Sequence, residues 1–134
     1  MPAAKVLIVE DEFLVALQLE DLLAEAGYCV IGMIADLASL AKLTDPPDLA
    51  LVDLNLRDGP TGTTIAQLLS ENFGTRIIYV TATPQQIAQP APTAVGVVQK
   101  PFQPSTILAA VQHALSKTPL DSAPLQIEPV QRCR

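Results

Sequence analysis

Five apolar runs of four residues punctuate the chain: Val6-Leu7-Ile8-Val9, Tyr28-Cys29-Val30-Ile31, Leu49-Ala50-Leu51-Val52, Ile77-Ile78-Tyr79-Val80 and Val95-Gly96-Val97-Val98. Runs this short and continuous suit strands buried on both faces. Helical patterns separate them. Val15, Leu19, Leu22 and Ala26 fall at i, i+4, i+7 and i+11, and Gly27 stands where a C-cap glycine belongs. A helix of nine residues is expected from Asp36 to Thr44, stopped by Pro46-Pro47, and another from Thr63 to Asn72. Pro84, Pro90 and Pro92 leave a fourth helix little more than about two turns. Pro104 opens a last one, with Leu108, Val111 and Leu115 on one face. Five strands alternating with five helices predict a doubly wound α/β domain: a five-stranded parallel sheet with helices on both faces.

The 134 residues are one domain's worth of chain, and 49% hydrophobic content is ample for its core. The domain is expected over residues 1–118. Residues 119–134 carry Pro119, Pro124 and Pro129 without periodicity, which predicts a disordered tail too short to form an output domain. The net charge of −6 arises wholly within residues 1–118, where twelve acids face six bases. That sign argues against direct contact with nucleic acid or an anionic membrane surface. Neither a membrane-spanning run nor a signal-peptide layout is visible, so a cytoplasmic location is expected. Cys29 and Cys133 match no metal spacing or disulfide framework and are expected to be a buried thiol and a tail thiol.

What ends the strands is chemically pointed. The first run stops at Glu10-Asp11, the third at Asp53, the fourth at Thr81 and the fifth at Lys100, while the second stops at Gly32. Ligands of open parallel sheets bind beyond the carboxyl ends of the strands, so these groups should converge on one edge. Two carboxylates about 5 Å apart repel by about 3 kcal/mol at an effective dielectric near 20. Glu10, Asp11 and Asp53 together therefore call for a cation, and hard oxygen ligands favour Mg²⁺. Lys100 adds an ammonium and Thr81 a hydroxyl, a set suited to the equatorial oxygens of a phosphoryl group. Asp53, with no adjacent acid, is the candidate nucleophile.

These residues, in this order, resemble the receiver domains of bacterial two-component response regulators, from residue 5 to about residue 117. Glu10 and Asp11 match the acidic pair, Asp53 the phospho-accepting aspartate, Thr81-Ala82 the hydroxyl residue with its small neighbour, and Lys100-Pro101-Phe102 the lysine with its proline. The resemblance implies a flavodoxin-like receiver fold. It implies Mg²⁺ bound by the side chains of Asp11 and Asp53, by the backbone carbonyl of Asn55, and by Glu10 through water. Thr81 and Lys100 would hold the phosphoryl group, with Ala82 beside them, and the Lys100–Pro101 bond would be cis. The donor would be a histidine kinase or a histidine phosphotransfer protein. The chain would be an acceptor that loses its phosphoryl slowly, not an enzyme, and would pass its signal to a downstream protein or pass the phosphoryl group onward.

Val97 stands where many receivers carry a switching Tyr or Phe, and Tyr79 lies on a different strand. The stretches EDEFLVALQLEDLLAEAGY and PDLALVDLNLRDGPTG look like single-domain receivers of alphaproteobacteria, some of which serve general stress-response phosphorelays. RIIYVTATP lacks the PFxFATGY motif of one such group. Two other functions stay open: a constitutive binding module without a switch, and an Mg²⁺-dependent phosphatase working through an aspartyl phosphate. Glu12 reads as a helix-start acid, His113 as an exposed helix histidine, Gly59-Pro60-Thr61-Gly62 as a turn, and Arg57-Asp58 as a solvated loop edge near Asp53.

Overall fold

The computed structural model describes residues 3–116. The expectation of a tail over 119–134, including the thiol of Cys133, lies outside those residues. Five strands form one parallel sheet: β1 (Lys5–Val9), β2 (Cys29–Ile34), β3 (Leu49–Val52), β4 (Arg76–Thr81) and β5 (Ala94–Gln99). Their order is β2-β1-β3-β4-β5, which places β1 and β3 centrally and reverses the direction of winding beside them. Alternate side chains feed two cores. Val6, Ile8, Leu49, Leu51, Ile78 and Val80 face one side, while Leu7, Val9, Ala50, Val52, Ile77 and Tyr79 face the other.

Helices α1 (Phe13–Glu25) and α3 (Pro104–Ser116) cover the first face, and α2 (Gly62–Phe73) covers the second. Two of the five expected helices are absent as such. The Asp36–Thr44 segment forms only the 3-10 segment Ala38–Lys42. There Asp36 accepts from the amide and hydroxyl of Ser39 at 2.9 and 2.6 Å, and Leu43 turns extended toward the prolines. The Pro84–Thr93 segment keeps one 3-10 turn, Pro84–Gln86, because prolines 90 and 92 cannot donate to a helical ladder. Leu37, Leu40, Leu43 and Ile87 of these two segments still pack on the second core.

The buried stripes are turned slightly from expectation. In α1 the fully buried residues are Ala16, Leu19 and Leu23, with Val15 and Leu22 partly buried at the flank. In α3 they are Ile107, Val111 and Ala114. Cys29 is half-buried, where a buried thiol was expected. Second-strand pairing continues past Gly32 to Ile34, with a register shift after Val6.

Candidate functional site

Strand register assembles the site. Val9 pairs with Val52, and the amide of Asp53 donates to the carbonyl of Val9 at 2.9 Å, so β1 delivers Glu10 and Asp11 beside Asp53. Thr81 pairs with Gln99, and the amide of Lys100 donates to the carbonyl of Thr81 at 2.9 Å. All these groups therefore meet at the carboxyl edge of the sheet. One oxygen each of Glu10, Asp11 and Asp53 lies within 4.8 Å of the others. The Lys100 ammonium sits 2.8 Å from Glu10 Oε1, 2.9 Å from Asp53 Oδ2 and 3.3 Å from Glu12 Oε1. Ala82 is exposed beside this lysine, in a cleft shared with Val15, Pro101 and Phe102. The Lys100–Pro101 bond is cis.

One ammonium is shared among several carboxylates, so negative charge is in surplus. Glu10 is only 4% exposed. Burial raises its pKa, and so does the charge of Asp53; the Lys100 contact and the Glu12 amide at 3.1 Å offset this only in part. Burial alone would lower the pKa of Lys100, but its contacts with Glu10 and Asp53 outweigh that and hold it above the ordinary lysine value. The Lys100–Glu10 pair is a contact of charges, because Glu10 Oε1 is buried and accepts no hydrogen bond. A buried carboxylate oxygen of that kind, facing two further carboxylates, is a donor set that suits a hard divalent cation.

The loop after β3 is held closely. A Cβ on Gly62 would stand 1.9 Å from the carbonyl oxygen of Asp53, so only glycine lets the start of α2 rest against the chain just past β3. Arg57 grips Asp36 through Nε at 2.9 Å and a terminal nitrogen at 2.8 Å, and Asp58 accepts from the amide of Leu37 at 3.0 Å. These bonds join the loops after β2 and β3, an arrangement more specific than a solvated edge. Asn55 sends its amide to Asp53 Oδ1 at 3.4 Å and its side chain to Thr83 and Gln86 at 3.2 and 3.1 Å.

Sequence reasoning missed Thr83, Gln86, the closeness of Gly62 and the ion pair of Glu12. None of them ends a strand, and only the glycine in Pro60-Thr61-Gly62 carried a usable signal. Val97 is 48% exposed on β5. Tyr79 is buried on the opposite side of its strand from Ile78 and Val80, its hydroxyl accepting from the Ala91 amide at 3.0 Å. His113 is exposed in the last turn of α3.

Known proteins resemble this chain in sequence and fold. Residues 6–112 match the response regulator receiver domain family. The phyllosphere-induced regulator PhyR of Methylorubrum extorquens is 33% identical over 117 residues, covering 84% of this chain and 44% of that protein. The transcriptional regulatory protein PdtaR of Mycobacterium tuberculosis is 27% identical over 119 residues, covering 84% of this chain and 57% of that protein. The chain thus spans about half the length of these curated relatives. The solution structure of the Erythrobacter litoralis PhyR receiver domain superposes with a TM-score of 0.77 at 33% identity, covering 95% of this chain and 98% of that one. With its acidic cluster, lysine and hydroxyl on one edge of a β2-β1-β3-β4-β5 sheet, the chain belongs to the response regulator receiver domain family of two-component signalling.

Proposed function

We propose that the chain is a phosphoryl-accepting switch with Asp53 as the acceptor, its receiver extending over residues 1–118. The contact that carries this reading is Lys100 Nζ at 2.9 Å from Asp53 Oδ2 inside a carboxylate cluster. An oxygen of Asp53 takes the phosphoryl group from a phosphohistidine of a histidine kinase or phosphotransfer protein, and the phosphorus–nitrogen bond of the donor breaks. Lys100 turns from the carboxylates to the new phosphoryl oxygens, and Thr81 donates its hydroxyl to another.

The side chains of Glu10, Asp11 and Asp53 and the backbone carbonyl of Asn55 are the groups that would hold Mg²⁺. That ion supplies charge neutralisation for the incoming phosphoryl group. Glu10 and Asp11 bring the acidic field, and Gly62 keeps the carbonyl of Asp53 closely backed. The acyl phosphate is lost slowly, so the chain acts as an acceptor and signals by binding a downstream protein or by handing the group on. Resemblance of two stretches to alphaproteobacterial single-domain receivers supports a cytoplasmic place in a general stress-response phosphorelay.

Incubation with acetyl phosphate and Mg²⁺, followed by intact-mass measurement, tests the acceptor. A gain of one phosphoryl group in the wild type that is lost in Asp53→Asn is the expected result. Equal uptake by the variant removes Asp53 from the role.

A further inference from the structure

A hydrogen-bonded chain crosses the mouth of the site, and the chemistry of its outer end sets its direction. Gln86 Oε1 can only accept, and it takes hydrogens from Thr83 Oγ1 at 3.1 Å and Asn55 Nδ2 at 3.1 Å. The hydroxyl hydrogen of Thr83 is thereby committed to Gln86. Thr81 Oγ1 and Thr83 Oγ1 are 3.3 Å apart, and the hydrogen between them must then belong to Thr81. Thr81 also accepts from the Thr83 amide at 3.1 Å. The one proton that Thr81 could offer toward the strand-end pocket is therefore turned outward, to Thr83.

We infer that Gln86 is a positioning residue which, acting through Thr83, holds the Thr81 hydroxyl in its resting orientation and so opposes phosphoryl binding at the strand ends. The inference rests on the reading of Asp53 as the phosphoryl acceptor and of Thr81 as the hydroxyl that donates a hydrogen bond to the bound phosphoryl group. Without the Gln86 carbonyl, the Thr83 hydroxyl is free to donate to Thr81 Oγ1, which releases the hydrogen of Thr81 for a phosphoryl oxygen. Gln86 is exposed on a single 3-10 turn, so its replacement leaves the core intact. Neither Asn55 nor Thr83 needs to leave its place for this to happen.

The test is titration of the full chain with beryllofluoride, a phosphoryl mimic, in saturating Mg²⁺, with Mg²⁺ affinity measured separately. Gln86→Ala is expected to bind beryllofluoride about threefold to tenfold more tightly than wild type, the worth of one neutral hydrogen bond, with Mg²⁺ affinity unchanged. Gln86→Met keeps the length of the side chain without its acceptor and should match Gln86→Ala. In a Thr83→Val background the effect of Gln86→Ala should vanish. Wild-type beryllofluoride affinity in Gln86→Ala or Gln86→Met overturns the inference, as does an undiminished effect in the Thr83→Val background. A wild-type protein that binds no beryllofluoride overturns the acceptor reading, and this inference falls with it.

Discussion

Glu10 bears the electrostatic cost of the cluster. It is nearly buried and shares a single ammonium with Asp53 and Glu12, so folding favours its protonated form. A carboxyl whose pKa rises on folding contributes stability below its unfolded value, near 4.5, and loses that contribution as pH rises through the displaced value. Glu10→Gln stays neutral throughout. In chelator it is expected to match wild type near the acid end of that window and to exceed it at neutral pH, measured as urea midpoints at the two pH values. A wild-type advantage at neutral pH would contradict this. At this scale Glu10, Asp11, Asp53, Thr81 and Lys100 were legible, because a buried strand must release its polar residues at its end. The partners of Thr83 and Gln86 were not, because loop side chains carry no period from which a direction can be read.

Strands survive translation from sequence better than the segments between them. β3 (Leu49–Val52) coincides with its apolar run, β1, β4 and β5 extend theirs by a residue at one or both ends, and β2 leaves out Tyr28 and runs on to Ile34. The inner strands β1, β3 and β4 are buried on both faces, so their pattern is local and continuous, while the edge strands β2 and β5 stay half-buried or exposed over most of their length. The segments around the 3-10 turns are tied to distant groups as well: Arg57 bonds Asp36, just before Ala38–Lys42, and the Tyr79 hydroxyl accepts from the amide of Ala91, beyond Pro84–Gln86. Both edge strands shift register once, after Val6 in the β1–β2 pairing and after Ile77 in the β4–β5 pairing, which bends and twists edges that would otherwise invite pairing. Tyr79→Phe removes the acceptor that the buried Ala91 amide has among the described residues. It should cost about 1–2 kcal/mol in chemical denaturation, and amide exchange at Ala91 should quicken. Unchanged exchange there would show that the segment does not depend on the tyrosine.

At the scale of the molecule, a net charge of −6 and three clustered carboxylates make divalent cations natural stabilisers of the folded state. Mg²⁺ at a hundred times its dissociation constant should add about 2.7 kcal/mol, because it binds the folded arrangement and not the dispersed chain. Thermal midpoints in Mg²⁺ and in chelator measure this, and Asp11→Asn should abolish most of the difference. A midpoint indifferent to Mg²⁺ would mean that the cluster is not a metal site. No described helix is long and apolar enough to cross a membrane.

The alternation of runs and the polar residues that end them determine a parallel α/β sheet and the edge at which its chemistry gathers. Both follow from patterns that each segment carries alone, a continuous apolar run with a polar end for a strand and a spacing near 3.6 for a helix. Folding in three dimensions selected which helices shortened to 3-10 turns, how near Gly62 comes to the Asp53 carbonyl, and which loop atoms meet across the site. Those outcomes depend on groups far apart in the chain, such as Asn55 and Gln86 or Glu12 and Lys100, whose meeting is set by the packing of the whole sheet.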